Sequence, residues 1–250
     1  MGKSSNKWFT QYPIAHRGWH WIDGIDENSW EAIDLAIEKG VPIEFDVHLS
    51  KDGIPFIHHD LSLLRMTGQD LHGPDQTSQE LSLIHTPNSN RGIPILKEVL
   101  ERVKGQVPLV IELKRSRNDF ALEEAIFDTV KNYKGDFSIQ GFHPGTLNFF
   151  RKEKVSFPLG LLSGSFNDEN LNFFLKVMLK SLCLSPFLKP DYIGYEYQEL
   201  SQRAPQYIRE HYQIPLVGWT VKDKKAESFC KKYADNIIFE SLDLPVVSRR

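Results

Sequence analysis

Cysteine is scarce in this chain: 250 residues hold two, Cys183 and Cys230. They form no Cys-x-x-Cys spacing, which excludes a disulfide framework and a cysteine-built metal centre, and both read as buried thiols. Long apolar runs are lacking as well. No stretch reaches the roughly 18 uninterrupted apolar residues of a membrane-spanning helix, and residues 1–12 lack the apolar core of a secretory signal, so a cytoplasmic protein with no membrane span is expected. An excess of one charge is missing too. Lys+Arg 30 against Asp+Glu 33 leave a formal net charge of −3, too near balance for the electrostatic surface of a nucleic-acid binder. Affinity must come from a local site. No Pro/Gly/Ser-rich linker, low-complexity tract or repeat divides the chain, so one domain over 1–250 is expected. No feature points to an oligomeric state.

What is present is an ordinary globular composition, 40% hydrophobic and 12% aromatic, able to bury a large core. Short segments rich in β-branched and aromatic residues recur at 14–18, 43–49, 109–114, 137–142, 158–163, 192–196, 216–221 and 236–240. Between them run helical patterns at 29–39, 96–104, 120–131, 145–152, 169–182, 204–210 and 222–233. Asn28 offers an N-cap for the first, and Ser116 or Asn118 for the third. A β-then-α alternation of this size implies an α/β fold, a TIM (β/α)8 barrel with a closed parallel sheet. A doubly wound open sheet is the alternative. One segment breaks the rhythm after strand 2. Residues 60–94, punctuated by Gly68, Gly73, Pro74, Pro87 and Gly92, read as an insertion-like connection on the active-site side of the barrel.

The second strand carries Glu44, Asp46 and His48 on one face, because strand side chains alternate. In a barrel its apolar face meets the helices, and the acids face inward near the strand's C-terminal end, where barrel active sites lie. The third strand adds Glu112, in phase with Val110 and Lys114. Three converging carboxylates repel one another unless a cation neutralises them. Oxygen-only ligands select a hard divalent ion, Ca²⁺ or Mg²⁺. The simpler alternative pairs Glu112 with Lys114 and leaves Glu44 and Asp46 on a solvated edge strand. Histidines supply the second component: His16 and Arg17 end the first strand, and His58, His59 and Asp60 follow the apolar segment 54–57. Imidazoles with an ordinary pKa of about 6.5 can act as general base and general acid at one phosphorus. Arg17 offers a planar fork for phosphate oxygens and Lys114 a point charge.

The series Ala15-His16-Arg17-Gly18, Glu27-Asn28-Ser29, Glu44-Phe45-Asp46-Val47, Lys51-Asp52-Gly53-Ile54-Pro55 and His59-Asp60 resembles the opening signature of the glycerophosphodiester phosphodiesterase family. Arg65-Met66-Thr67-Gly68, Ile111-Glu112-Leu113-Lys114, Gln140-Gly141-Phe142 and Trp219-Thr220-Val221 extend the likeness along nearly the whole chain. The resemblance implies a barrel in which Glu44, Asp46 and Glu112 hold Ca²⁺ or Mg²⁺ and His16 and His59 move protons. It implies further that Arg17 and Lys114 contact the phosphate, and that Phe142 and Trp219 line the glycerol end. The implied reaction is metal-dependent hydrolysis of a small-molecule glycerophosphodiester to an alcohol and sn-glycerol 3-phosphate. Two alternatives stand beside it: a phospholipase D-like enzyme of the same barrel acting on lysophospholipid or sphingolipid headgroups, and a non-catalytic phosphodiester-binding barrel.

Some positions depart from the family pattern. Gly141 stands where Ser is frequent, Lys222 where Asn is usual, and Glu240-Ser241 where a Thr-Asp pair is typical. Glu27 and Asn28 fall near the site by resemblance without an assigned role. Trp19, His20 and Trp21 read as an aromatic wall or as packing against the long connection, and Phe173, Phe174, Leu175, Val177 and Met178 as a core-facing stripe.

Overall fold

The computed structural model describes residues 7–115, 119–166 and 173–242. The caps expected at Ser116 or Asn118 lie outside the described residues, as do residues 169–172 of the predicted helix and the side chains of Phe173, Phe174 and Leu175. The strands are β1 (Ile14–Ala15), β2 (Ile43–Leu49), β3 (Pro55–Ile57), β4 (Leu109–Leu113), β5 (Phe137–Gly141), β6 (Leu159–Ser163), β7 (Tyr192–Glu196), β8 (Leu216–Val221) and β9 (Asn236–Phe239). They run in the order β1-β9-β8-β7-β6-β5-β4-β2-β3, and β1 also pairs with β2. That last pairing closes eight strands into a TIM (β/α)8 barrel and overturns the open-sheet alternative. β3 is bonded outside it.

The described residues form two compact units, those within 15–137 and those within 138–242 together with 7–14. In the first, β2 is parallel to β4 and antiparallel to β3, and every residue of all three strands is buried. β3 escapes the sequence reading because three residues show no periodicity. β1 ends at Ala15, short of the predicted 14–18, because Arg17 (φ 54°) and Gly18 (φ 82°) turn left-handed. A Cβ on Gly18 would lie 2.8 Å from Ala32 Cβ, so only glycine fits where this turn meets the next helix. That helix, Trp30–Glu38, is capped by Ser29, whose Oγ accepts from the Ala32 N–H at 3.1 Å. The cap is therefore not Asn28, whose own left-handed φ of 55° sends its side chain elsewhere.

Residues 60–94 carry their own small structure. Short helices at Leu64–Thr67 and Ser78–Leu81 flank a 3-10 turn, Gly73–Asp75. Thr77 and Glu80 close a capping box on the second helix. Leu63, Leu81, Ile84 and Ile93 bury against Phe56 of β3 and Ile95, with Leu71 packed alongside. β3 thus serves as the floor on which the connection folds.

In the second unit β5 to β9 lie side by side and parallel. Three of its buried polar groups meet: the Tyr192 hydroxyl lies 3.1 Å from Ser138 Oγ and donates to Gln140 Oε1 at 3.2 Å. Cys230 is buried as expected, but Cys183 is exposed, because it follows the helix Phe173–Lys180 in a turn. Val177 is 49% exposed, so the stripe expected there does not face the core throughout. Among the described residues no helix is long and apolar enough to cross a membrane.

Candidate active site

Parallel pairing sets Asp46 opposite Glu112 and Glu44 opposite Val110. Alternation keeps Glu44 and Asp46 on one face of β2, and one oxygen from each of Glu44, Asp46 and Glu112 lies within 4.8 Å of the others. All three side chains are buried. The solvated-edge alternative is overturned, since β2 runs between β1 and β4. The other half of that alternative is present: Lys114 Nζ sits 2.5 Å from Glu112 Oε1, and it also reaches Asp46 Oδ1 at 3.1 Å. One ammonium therefore touches two members of the cluster.

Asp46 is the most heavily attended acid. Its Oδ2 accepts from Asn28 Nδ2 at 2.9 Å and faces Arg17 Nε at 3.3 Å. Burial pushes its carboxyl up, but Lys114 and Arg17, with His59 and His16, hold it far below the usual range. Glu44 differs. Its Oε2 accepts the Arg17 backbone N–H at 3.1 Å, while buried Oε1 has no hydrogen-bond partner. Burial first, then Asp46 and Glu112, drives the Glu44 carboxyl well above its ordinary value, and burial raises Glu112. An all-oxygen donor set with an orphaned buried carboxylate oxygen fits a hard divalent cation.

His16 and Arg17 occupy the turn that follows β1 rather than its end. Both His16 and His59 act electrostatically on Asp46. The structure separates His58 from His59. His58 is buried, with Nδ1 2.8 Å from the Asp60 carbonyl, whereas the His59 side chain is 32% exposed and its Nδ1 lies 2.6 Å from Asp60 Oδ1. His48, in phase with the two acids on β2, places Nε2 3.0 Å from the His59 carbonyl and stacks on Phe56. Burial lowers His59 and takes His48 down to about 4.

Two residues outside the sequence-derived set complete this cluster. Glu27 Oε1 accepts from Arg17 Nη1 at 2.7 Å and from Arg65 Nη2 at 2.6 Å, and Arg65 Nε reaches Asp60 Oδ2 at 2.6 Å. No periodicity announces Arg65. Its only signal is its place in the Arg-Met-Thr-Gly block. Trp19 is buried and pairs with Trp21 at 4.6 Å between ring centroids, so packing accounts for Trp19.

Phe142 and Trp219 belong to the second unit, where their rings meet edge to face, with centroids 5.8 Å apart and planes at 90°. In the same unit, two departures from the family pattern meet: Lys222 Nζ pairs with Glu240 Oε1 at 3.1 Å.

The family model described as "Glycerophosphoryl diester phosphodiesterase family" matches residues 10–242. The chain is 27% identical over 241 residues to an uncharacterized protein of Mycoplasma genitalium, covering 93% of this chain and 94% of that one. It is 32% identical over 162 residues to a glycerophosphodiester phosphodiesterase of Bacillus altitudinis, covering 60% of this chain and 65% of the relative. Among solved structures, it resembles a phosphodiesterase of Oleispira antarctica in complex with the product sn-glycerol-3-phosphate. That likeness has a TM-score of 0.75 and 20% identity, over 92% of this chain and 94% of the other.

Proposed function

Because this chain belongs to the glycerophosphoryl diester phosphodiesterase family, we propose that it hydrolyses glycerophosphodiesters to an alcohol and sn-glycerol 3-phosphate at the site on β2 and β4. The observation that carries this reading is the convergence of Glu44, Asp46 and Glu112, with buried Glu44 Oε1 unpartnered. The product held by the Oleispira relative supports the choice of product.

Glu44, Asp46 and Glu112 are the residues to hold Ca²⁺ or Mg²⁺. When bound, that ion supplies Lewis-acid polarisation of a phosphoryl oxygen. Arg17 is held by Asp46 at Nε and by Glu27 at Nη1, which leaves Nη2 to donate to a phosphate oxygen. Lys114 adds a second positive charge. Three carboxylates, a divalent ion, Arg17 and Lys114 leave a local charge of about +1, suited to a phosphodiester monoanion. Asp60 holds His59 at Nδ1, so Nε2 is the atom that moves a proton. His16 is its partner: one imidazole takes the proton of the attacking oxygen, whether of water or of the glycerol 2-hydroxyl with water following, and the other donates to the leaving oxygen.

Phe142 and Trp219 are assigned to the glycerol end by the resemblance alone. The reading treats the chain as one catalytic domain with 60–94 on the active-site side, which the contacts of Asp60 and Arg65 support. Free thiols at Cys183 and Cys230 agree with a cytoplasmic setting.

The test is a panel of glycerophosphocholine, glycerophosphoethanolamine, glycerophosphoglycerol and a lysolipid, each with Ca²⁺ or Mg²⁺, followed as released glycerol 3-phosphate or free headgroup. Release from the water-soluble diesters with one of the ions is the expected result. Action on lysolipid dispersions alone would transfer the protein to the phospholipase D-like alternative. Tight binding without product would make it a binding barrel.

A further inference from the structure

Two short ion-pair chains meet at Arg65, a side chain belonging neither to the carboxylate cluster nor to the pair of catalytic imidazoles. Its Nη2 lies 2.6 Å from Glu27 Oε1 and its Nε 2.6 Å from Asp60 Oδ2. Each of those carboxylates grips a second group. Glu27 Oε1 also takes Arg17 Nη1 at 2.7 Å, and Asp60 Oδ1 takes His59 Nδ1 at 2.6 Å. An unbroken run therefore leads from Arg17 through Glu27, Arg65 and Asp60 to His59.

We propose that Arg65 is a positioning residue that holds the phosphate-facing Arg17 and the proton-transferring His59 in one shared geometry, with Glu27 and Asp60 as its two arms. The inference rests on the roles given above to Arg17 and His59. The guanidinium edge made by Nε and Nη2 presents two parallel donors, which ordinarily clasp both oxygens of a single carboxylate. Here that edge is divided between two carboxylates. Their separation and tilt are thereby set by one rigid plane, which a lysine ammonium cannot reproduce.

Stability does not account for the arrangement. Arg65 is 49% exposed at its side chain, and ion pairs this open to solvent add little to folding. The orientations it passes on are specific. Arg17 is restrained at Nε and Nη1, so its remaining donor direction depends on where Glu27 stands. The His59 ring is restrained at Nδ1, so the direction of Nε2 depends on where Asp60 stands. Arg65 lies on the short helix Leu64–Thr67 within the long connection. That segment thus contributes directly to the geometry of both the binding group and the proton carrier.

The experiment compares the full chain, loaded with Ca²⁺ or Mg²⁺, with Arg65→Gln and Arg65→Lys. It follows kcat and KM, calorimetric affinity for sn-glycerol 3-phosphate, thermal midpoint, and the His59 tautomer by ¹⁵N NMR. Arg65→Gln is expected to lower kcat and product affinity together, each by about tenfold or more, with little change in thermal midpoint and loss of the Nδ1-protonated signature of His59. Arg65→Lys is expected to stay impaired in both. Should Arg65→Gln fail to fold, Asp60→Asn and Glu27→Gln divide the question: the first should fall on kcat and the second on product affinity. A folded Arg65→Gln within about twofold of wild type in both, with an unchanged His59 signature, overturns the proposal, as does a loss confined to thermal stability. An inactive wild-type chain would defeat the functional reading instead, and the tautomer and product-binding measurements would still decide the role of Arg65.

Discussion

Asp46 and Glu112 stand directly opposite each other across the parallel pair β2 and β4, and Lys114 Nζ contacts both. Like charges placed opposite in a sheet oppose pairing. Lys114 and Arg17, which lies 3.3 Å from Asp46, leave one of three carboxylates unbalanced once Glu44 joins, which is the physical case for a divalent ion at this point.

The first expectation concerns that ion and pH. Burial and neighbouring acids raise Glu44, and burial raises Glu112, above an ordinary value of 4.5. Groups raised in the fold favour it fully below their unfolded value, and the advantage is lost as pH rises through the folded value. Chelator-treated protein should therefore lose stability above pH 4.5 as these acids ionise, and added Ca²⁺ or Mg²⁺ should restore it. At a hundredfold excess over Kd the restoration is about 2.7 kcal/mol. Thermal melts should show a larger gain at about pH 8 than at about pH 5. An equal gain at both would count against ligation by these carboxylates.

A second expectation is kinetic. His16→Ala and His59→Ala should each lower kcat by about 10²–10⁴ while the urea midpoint stays near that of wild type. Turnover within a few-fold of wild type for either variant would remove that imidazole from the chemistry.

A third follows from His48, buried beneath the site and lowered to about 4 from 6.5. The fold needs the neutral ring, so the unfolded chain binds more protons between those values. Stability is whole above pH 6.5 and declines as pH falls toward 4. Between about pH 7.5 and about pH 5, wild type should lose roughly 2 kcal/mol more than His48→Gln in urea denaturation. Parallel losses in the two proteins would mean that the ring is not held neutral.

A fourth separates two glycines. Gly18→Ala meets both a left-handed φ and Ala32 Cβ at 2.8 Å, whereas Gly53, at φ 78°, has no atom within 4 Å of an added Cβ. Gly53→Ala should cost about 1 kcal/mol, and Gly18→Ala distinctly more. Gly18→Ala should also lower activity, because the turn carries His16 and Arg17. Equal midpoints for the two variants would contradict the close approach.

Much of this was legible in the sequence because period-2 alternation at 43–49 and 109–114 announces which residues share a face. The shared face of the acids follows from it, and the barrel from the β-then-α alternation along the chain. Alternation says nothing where the backbone leaves the strand. Arg17 and Gly18 turn left-handed and cut β1 to two residues, and Asn28 does the same, passing the helix cap to Ser29 and freeing its amide for Asp46. Contacts distant in sequence leave no local trace either. Arg65 meets Glu27 across 38 positions, and the choice between His58 and His59 rests on family likeness, because adjacent residues outside a strand carry no periodicity. Cys183 shows the weakness of a residue-type prior: a thiol at a helix end is exposed by its position in the chain.

If Glu44, Asp46 and Glu112 together grip one divalent ion beside His16 and His59, anomalous diffraction from crystals soaked in Mn²⁺ will locate it. One strong peak is expected, at about 2.0–2.6 Å from an oxygen of each of the three carboxylates. A map with no peak there, or a peak bound by only one of them, would contradict that shared grip.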